Sequence, residues 1–196
     1  ATLYFMQRIY RIPARPFWNH WHVFTSFYGS MLTLGSILAG AVYGAVLLYQ
    51  GHALNQLFNT IILCMLFGLM LEAIGLWQHA RAMQAQGGEG AASHYEQLTT
   101  FGKTYILRNT SLIIGISATV GLFLLQVSSL SGYLLWLLTA SIIVGTAIIS
   151  RALFYVLVIP TTMPGAFFWK NRGFQEHACA TGLADMPQVG VLPIRH

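Results

Sequence analysis

Long runs of apolar residues, separated by short polar segments, dominate the chain. Four of these runs are long enough to cross the hydrocarbon core of a bilayer, which takes about 20 residues of helix. We predict spans at about residues 23–49, 57–77, 104–127 and 133–159. The sequence contains no internal repeat of fixed period. The expected fold class is therefore an all-α integral membrane protein, a four-transmembrane-helix bundle.

Prolines and polar turns set the limits of the spans. Pro13 and Pro16 prevent a helix from running continuously into the first span, because proline lacks a backbone donor and clashes with the preceding turn. Turns rich in glycine, asparagine and serine follow the first span at 51–56 and the third at 128–132. Pro160 ends the fourth span.

The rest of the chain divides around these spans. Residues 1–22 contain the end of a preceding helix and a connector, residues 23–160 the four spans, and residues 161–196 a tail. The segment QAQGGEGAAS (84–93) has the composition of a flexible loop. The chain begins ATLYFM without an initiator methionine, so we expect it to start partway along a longer protein.

The composition is typical of a membrane protein. Of the 196 residues, 56% are hydrophobic and 8% are charged, whereas soluble domains carry about 25% charged residues. A net charge of +5 can indicate a nucleic-acid partner, but basic residues in so apolar a chain usually set membrane orientation, and we expect no nucleic acid. Cys64 lies in an apolar run and Cys179 in the tail, so no disulfide framework is indicated.

Basic residues lie on only one side of the predicted bundle. The turns at 51–56 and 128–132 contain neither lysine nor arginine. The segments on the other side contain eight basic residues: Arg8, Arg11, Arg15, Arg81, Lys103, Lys170, Arg172 and Arg195. The positive-inside rule therefore predicts that both ends of the chain face the cytoplasm.

Three ionisable residues, Glu72, Arg108 and Arg151, fall inside the apolar runs. Each costs at least about 2.5 kcal/mol in hydrocarbon unless it finds a partner, a ligand or water. Counting from the span ends at 1.5 Å per residue places all three about 8 to 14 Å deep in the cytoplasmic half. Three interpretations remain open: an ion pair that holds the bundle together, a polar pocket that exchanges protons with a ligand, and snorkelling of Arg108 to the interface.

The histidines are placed unfavourably for haem. Haem between membrane helices needs histidines near the middle of facing spans, but all seven lie at span ends, in loops or in the tail. We expect no haem in this chain, and no metal, since His20-x-His22 supplies only two ligands with no cysteine or carboxylate nearby. Phosphate-binding loops, dinucleotide fingerprints and cysteine pairs for iron–sulfur clusters are missing from the sequence.

Three stretches resemble the DmsC family, the membrane anchor subunits of molybdopterin oxidoreductases. They are RIYRIPARPFWNHWHVFTSFYGS before the first span, YILRNTSL in the third, and ISRALFYVLVIPTTMPGAFFWKN around the end of the fourth. The resemblance covers the whole chain, as the C-terminal half of an eight-helix anchor. The tail PGAFFWKNRGFQEHACATGLADMP is closer to the sulfite-oxidising, SoeC-type branch than to the dimethyl sulfoxide reductase branch.

The resemblance implies a division of labour in a bacterial inner membrane. A molybdopterin catalytic subunit and an iron–sulfur subunit would be the partners, with membrane lipid around the anchor. The anchor would bind quinone, either ubiquinone or menaquinone, and pass electrons between it and the iron–sulfur subunit. In the sulfite-oxidising branch sulfite would reduce the quinone, and in the alternative branch quinol would be oxidised. Whether the chain counts as an enzyme is left open, and no catalytic residue is assigned.

Two sets of candidate site residues follow. For a quinone pocket or proton path we select Glu72, His79, Arg108 and Arg151; Glu72 and His79 share a helical face at a spacing of seven. For docking of the iron–sulfur subunit we select Arg11, Arg15, Trp18, His20, His22, Trp169 and Lys170.

Two other classes of function fit the pattern of spans. A small transporter subunit would line its path with Glu72 and the arginines, but transporter helices are often broken near the midplane, and here prolines occur only at span ends. A purely structural tether would bind no ligand of its own. Quinone bound to the chain would distinguish the hypothesis of a quinone-reactive anchor from that of a structural tether.

Overall fold

A computed structural model describes residues 2–13, 15–54, 56–85, 88–158, 176 and 179–182. This part of the chain forms six helices and no strand. The helices are α1 (Thr2–Tyr10), α2 (His22–Tyr49), α3 (Gln56–Ala85), α4 (Gly88–Leu98), α5 (Gly102–Leu124) and α6 (Leu130–Val156).

Four of the helices, α2, α3, α5 and α6, are long and apolar enough to cross a membrane. Large hydrophobic side chains on their outer faces are exposed, as at Leu38, Val42 and Ile113, which are 60 to 69% accessible. Lipid, rather than water, is the solvent that such a surface requires. The predicted fold class, an all-α membrane bundle of four spans, is confirmed.

The structure corrects the predicted connection between the second and third spans. Helix α3 continues to Ala85 instead of ending near residue 77, and α4 occupies most of the predicted loop at 84–93. The prediction of a loop was wrong because it rested on the glycine and serine content of the segment, whereas α4 is stabilised by tertiary packing. Four side chains of α4 are buried: Ser93, His94, Glu96 and Gln97.

The other boundaries agree to within three residues. Helix α6 ends at Val156 rather than at 159, and α1 covers Thr2–Tyr10 within the segment predicted to contain the end of a helix and a connector. Pro160, expected to end the last span, and the tail residues Trp169 and Lys170 lie outside the described residues.

Close packing of α2 on α3 forms the most extensive helix pair in the described chain. Small residues make this possible: a Cβ atom added at Gly68 would lie 2.8 Å from the carbonyl oxygen of Gly29. Gly75 likewise faces the side chain of Thr25. Membrane helices associate through such small residues because lipid offers no hydrophobic driving force between them.

The connector, defined here as residues 11–21, folds inward at one end of the bundle, which we call the connector end. Phe17 and Trp18 are buried there in a cluster with Val23, Met83 and Phe154. The rest of the bundle is held by a second cluster that includes Phe58, Ile62, Tyr133 and Trp136.

Trp18 closes the end of α6. Its indole nitrogen Nε1 donates a 2.7 Å hydrogen bond to the carbonyl oxygen of Phe154, and the two rings stack with centroids 5.3 Å apart. The carbonyl belongs to the last turn of α6, where the helix itself supplies no donor. The connector therefore caps the helix that ends beside it.

Replacing Trp18 by Phe should destabilise the bundle by about 1–3 kcal/mol, because the buried carbonyl of Phe154 loses its donor. Thermal unfolding of the chain in detergent measures this loss. The matched control is Trp21→Phe, since Trp21 is 39% exposed and substitutions at such positions usually stay within about 0.5 kcal/mol. Equal melting temperatures for the two variants would contradict the capping role.

Candidate functional site

A small polar cavity lies at the connector end, enclosed by α2, α3, α4, α5, α6 and the connector. Its volume is about 20 Å³. Its polar lining consists of His22, Ser26, Glu72, His79, Gln97, Arg108 and Ser150. Phe17, Leu76 and Phe154 supply apolar walls.

Glu72 is 5% exposed and lies on the face of α3 that lines this cavity. Among the described residues, no arginine forms an ion pair with it, so the salt bridge considered from the sequence is not formed. The guanidinium groups of Arg108 and Arg151 nevertheless act on it electrostatically. Glu72 is thus a buried acid near two cations, with a polar cavity beside it instead of a bonded counter-ion.

His79 lines the same cavity two turns further along α3. Its Nε2 atom lies 2.8 Å from the carbonyl oxygen of Phe17. Because a carbonyl oxygen only accepts hydrogen bonds, Nε2 carries the proton of the neutral ring and Nδ1 is the unprotonated nitrogen. The connector therefore fixes both the orientation and the tautomer of this histidine.

Two more histidines, His20 of the connector and His22 at the start of α2, lie beside His79. The ring of His22, 4% exposed, lies 4.5 Å from that of His79 between centroids. The backbone N–H of His22 donates to Nδ1 of His20 at 3.1 Å, and the ring of His20 lies 5.4 Å from that of His79. Burial and the nearby Arg11 guanidinium lower the pKa of His20 below its usual range. The three rings run from the cavity towards the surface at the connector end.

Arg108 is 4% exposed and lies on α5, about 9 Å along the helix from its start at Gly102. Its Nε donates to Oδ1 of Asn109 at 2.9 Å, and its guanidinium lies 4.9 Å from the centre of the Tyr105 ring. Since the amide oxygen of Asn109 accepts this bond, its NH₂ group is left to donate elsewhere.

A groove between α3 and α5 lies on the other side of Arg108. Its volume is about 290 Å³, and it opens on the outer face of the bundle. Apolar and aromatic side chains dominate the lining, with Arg108 and Asn109 as its polar groups: Ala73, Leu76, Trp77, Ala80, Tyr105, Leu112 and Ile113. Arg108 and Leu76 line both the groove and the polar cavity.

Arg151 does not line either space. It lies half-buried between α2 and α6, where its NH2 atom donates a long, 3.4 Å hydrogen bond to Oγ of Ser30. Its guanidinium is 4.7 Å from the centre of the Phe27 ring and 5.6 Å from that of Phe154. Of the four residues predicted for the pocket, the structure therefore brings Glu72, His79 and Arg108 together and places Arg151 outside their cavity.

The residues predicted for docking divide into two groups. Arg11, Arg15 and His20 are half-exposed at the connector end, with the Arg15 guanidinium 4.7 Å from the centre of the Trp18 ring. Trp18 and His22 are buried, so the prediction that these two face a partner does not agree with the structure. The physical reason is that Trp18 caps the end of α6 and the ring of His22 packs against that of His79.

Other residues of the site were not selected from the sequence. Gln97 lies between the predicted loop at 84–93 and the third predicted span, where the sequence predicts no element, and isolated serines such as Ser26 and Ser150 are common in membrane helices. Asn109 directly follows Arg108 in YILRN, so its position next to the intramembrane arginine was the sequence signal that could have identified it as a site residue. Within the described ranges, no group of three or more His, Cys, Asp or Glu side chains has the arrangement to hold a metal ion.

No protein-family model, curated protein or solved structure matches the chain. The fold and the site define a multi-pass α-helical membrane protein. Its distinguishing feature is a water-sized polar cavity that shares an arginine with a groove on the outer face of the bundle.

Proposed function

We propose that this chain is a quinone-reactive membrane anchor that exchanges electrons between quinone and the iron–sulfur subunit of a molybdenum oxidoreductase. The observation that carries the proposal is the position of Arg108, which lines both the membrane-facing groove and the enclosed polar cavity. A ligand in the groove would contact a buried cation whose other side adjoins Glu72 and His79.

The groove suits the headgroup of a quinone in size and chemistry. At about 290 Å³ it is close to the lower end of small-molecule sites, roughly 300–1,000 Å³. Trp77 and Tyr105 line it with aromatic rings, each of which has a guanidinium over one face, while Arg108 and the NH₂ group of Asn109 are donors for a carbonyl oxygen. The opening towards lipid leaves room for an isoprenoid tail beside Ile113. The enclosed cavity, at about 20 Å³, is too small for the ring.

Quinone supplies two-electron chemistry that takes up two protons on reduction. In this chain Arg108 would hold a carbonyl oxygen through charge-assisted hydrogen bonds. Glu72 would hold and release a proton on the cavity side of Arg108, and the histidines at the connector end, among them His79, which is tied to the connector through Phe17, would exchange that proton towards water.

The identity of the partners rests on the resemblance to DmsC-type anchors. It favours a bacterial inner membrane, both ends of the chain in the cytoplasm, and sulfite oxidation coupled to quinone reduction. The iron–sulfur subunit would then dock at the connector end, where Arg11, Arg15 and His20 are half-exposed. That end also adjoins the cavity, which keeps the distance for electron tunnelling short.

Titration with a short-chain ubiquinone tests the site directly, because a quinone in the groove would quench the fluorescence of Trp77. We expect saturable quenching in the purified chain in nanodiscs and its loss in Trp77→Phe. Arg108→Met should weaken binding about 10- to 100-fold, since a hydrogen bond to a charged group contributes about 1.5–3 kcal/mol.

The matched control is Lys103→Met, which removes one positive charge from the same helix at an exposed position outside the groove. Its affinity for the quinone should equal that of the unmodified chain. Quenching that persists in Trp77→Phe, or equal affinities for Arg108→Met and Lys103→Met, would remove the groove as the quinone site.

A further inference from the structure

Two side chains that line the polar cavity carry hydrogen-bonding atoms for which the described part of the chain offers no partner. His22 and Gln97 both line it, and each is 4% exposed. The Nδ1 atom of His22 and the Oε1 atom of Gln97 are buried and have no hydrogen-bond partner among the described residues. Unpartnered buried atoms of this kind are destabilising, and ordered water is the common way in which proteins satisfy them.

The cavity has room for one water molecule. Its volume of about 20 Å³ exceeds the roughly 10–15 Å³ that a single water requires. Glu72 and Arg108 also line it, so a carboxylate acceptor and guanidinium donors are present beside the two unpartnered atoms. A water there would find up to four partners, whereas the apolar cavities that stay dry offer none.

We propose that this cavity binds one ordered water molecule that links the carboxyl group of Glu72 to Nδ1 of His22. The water accepts from Arg108 and has two protons to donate, for which His22, Gln97 and Glu72 are the available acceptors. A proton held on Nδ1 of His22 passes to the water oxygen while the water releases one of its own protons to the Glu72 carboxylate. One proton is thereby moved and the water is regenerated.

His22 is well placed to carry that proton to and from the aqueous phase. It stands between the cavity and the connector, with its ring 4.5 Å from that of His79 and its backbone bonded to the half-exposed His20. The charged and titratable groups that act on His22 come from α3, α5, α6 and the connector: His79, Arg108, Arg151 and His20. Use of this path in quinone chemistry rests on the proposed function, whereas the water site does not.

Nitrogen-15 NMR of the imidazoles, on the full chain in nanodiscs, tests the water site without quinone. We expect magnetisation transfer from water to the His22 ring, and its loss in a double variant, Glu72→Leu with Gln97→Leu, that removes two of the four partners of the water. His94→Phe is the control: His94 lies at the same end, bonded through Nε2 to Gln84, and does not line the cavity. Absence of transfer in the unmodified chain would overturn the proposal.

Proton uptake during quinone reduction by the intact complex tests the path. His22→Phe should slow uptake at least tenfold while quinone affinity is kept, and His94→Phe should leave uptake unchanged. If the water is bound but His22→Phe takes up protons at the unaltered rate, the water has only a structural role and the proton path is overturned. Failure of the proposed function gives a different result, namely no quinone turnover in the unmodified complex while the NMR signature of the water persists.

Discussion

Glu72→Gln should lower the quinone turnover of the intact complex about 100-fold, because general acid–base groups contribute roughly 10²- to 10⁴-fold. The substitution keeps the size and hydrogen-bonding capacity of the side chain and removes only its ability to exchange a proton. Glu72 is 5% exposed and, within the part of the chain that the structure describes, forms no ion pair with an arginine, so no bonded counter-ion is left unpaired by the change. Affinity for a short-chain ubiquinone should stay within about twofold, because Arg108, rather than Glu72, lines the groove.

Steady-state turnover and fluorescence titration on the same preparation separate these two effects. Glu72→Asp should restore part of the turnover, since it returns a carboxyl group about one carbon short of the cavity. Glu96→Gln is the matched control, a buried glutamate on α4 at the same end that does not line the cavity. If Glu72→Gln turned over quinone as fast as Glu96→Gln, the proton role of Glu72 would be excluded.

Gly68→Ala should destabilise the bundle by about 1–3 kcal/mol and disturb the site at the same time. The added Cβ would lie 2.8 Å from the carbonyl oxygen of Gly29 and 2.8 Å from the backbone nitrogen of Thr33. These are backbone atoms, so no side-chain rotation relieves the contact and α2 must move away from α3. Because His22 begins α2 and His79 belongs to α3, this movement should also separate their rings.

Unfolding in mixed detergent micelles measures the stability, and the imidazole NMR spectrum reports the separation of the rings. Gly35→Ala provides the control, since a Cβ at that position of α2 meets no atom within 4 Å. We expect Gly35→Ala to match the unmodified chain in both measurements. Equal stability of the two variants would show that the α2–α3 pair tolerates a wider separation than its glycines indicate.

Much of the fold could be predicted because membrane insertion depends on local properties of the sequence. Hydropathy along the chain placed four spans, and α2 and α5 begin and end within three residues of the predicted limits. The spacing of seven put Glu72 and His79 on one face, since a helix repeats every 3.6 residues. Their roles in a proton path, and the DmsC-type partners, stay predictions.

Local patterns could not predict where side chains meet across the bundle. Arg108 and Arg151 both fall in the cytoplasmic half of the predicted spans, yet only Arg108 lines the cavity and the groove, because the rotation of each helix about its axis is decided by packing. The connector similarly combined aromatic, basic and histidine residues that suggested a docking surface. Its fold buries Trp18 and His22 and leaves the arginines half-exposed.

The sequence by itself therefore determined the number of spans, their approximate limits and the position of a carboxylate and two arginines within them. These properties follow from the free-energy cost of exposing backbone polar groups and charges to hydrocarbon. Each segment avoids that cost through its own composition, independently of the other segments. Only the tertiary structure decided that α4 is a helix, that Gln97 reaches the cavity and that His20, His22 and His79 gather at one end. Such contacts join residues far apart in sequence, and they form only when small residues such as Gly29 and Gly68 allow the helices to approach.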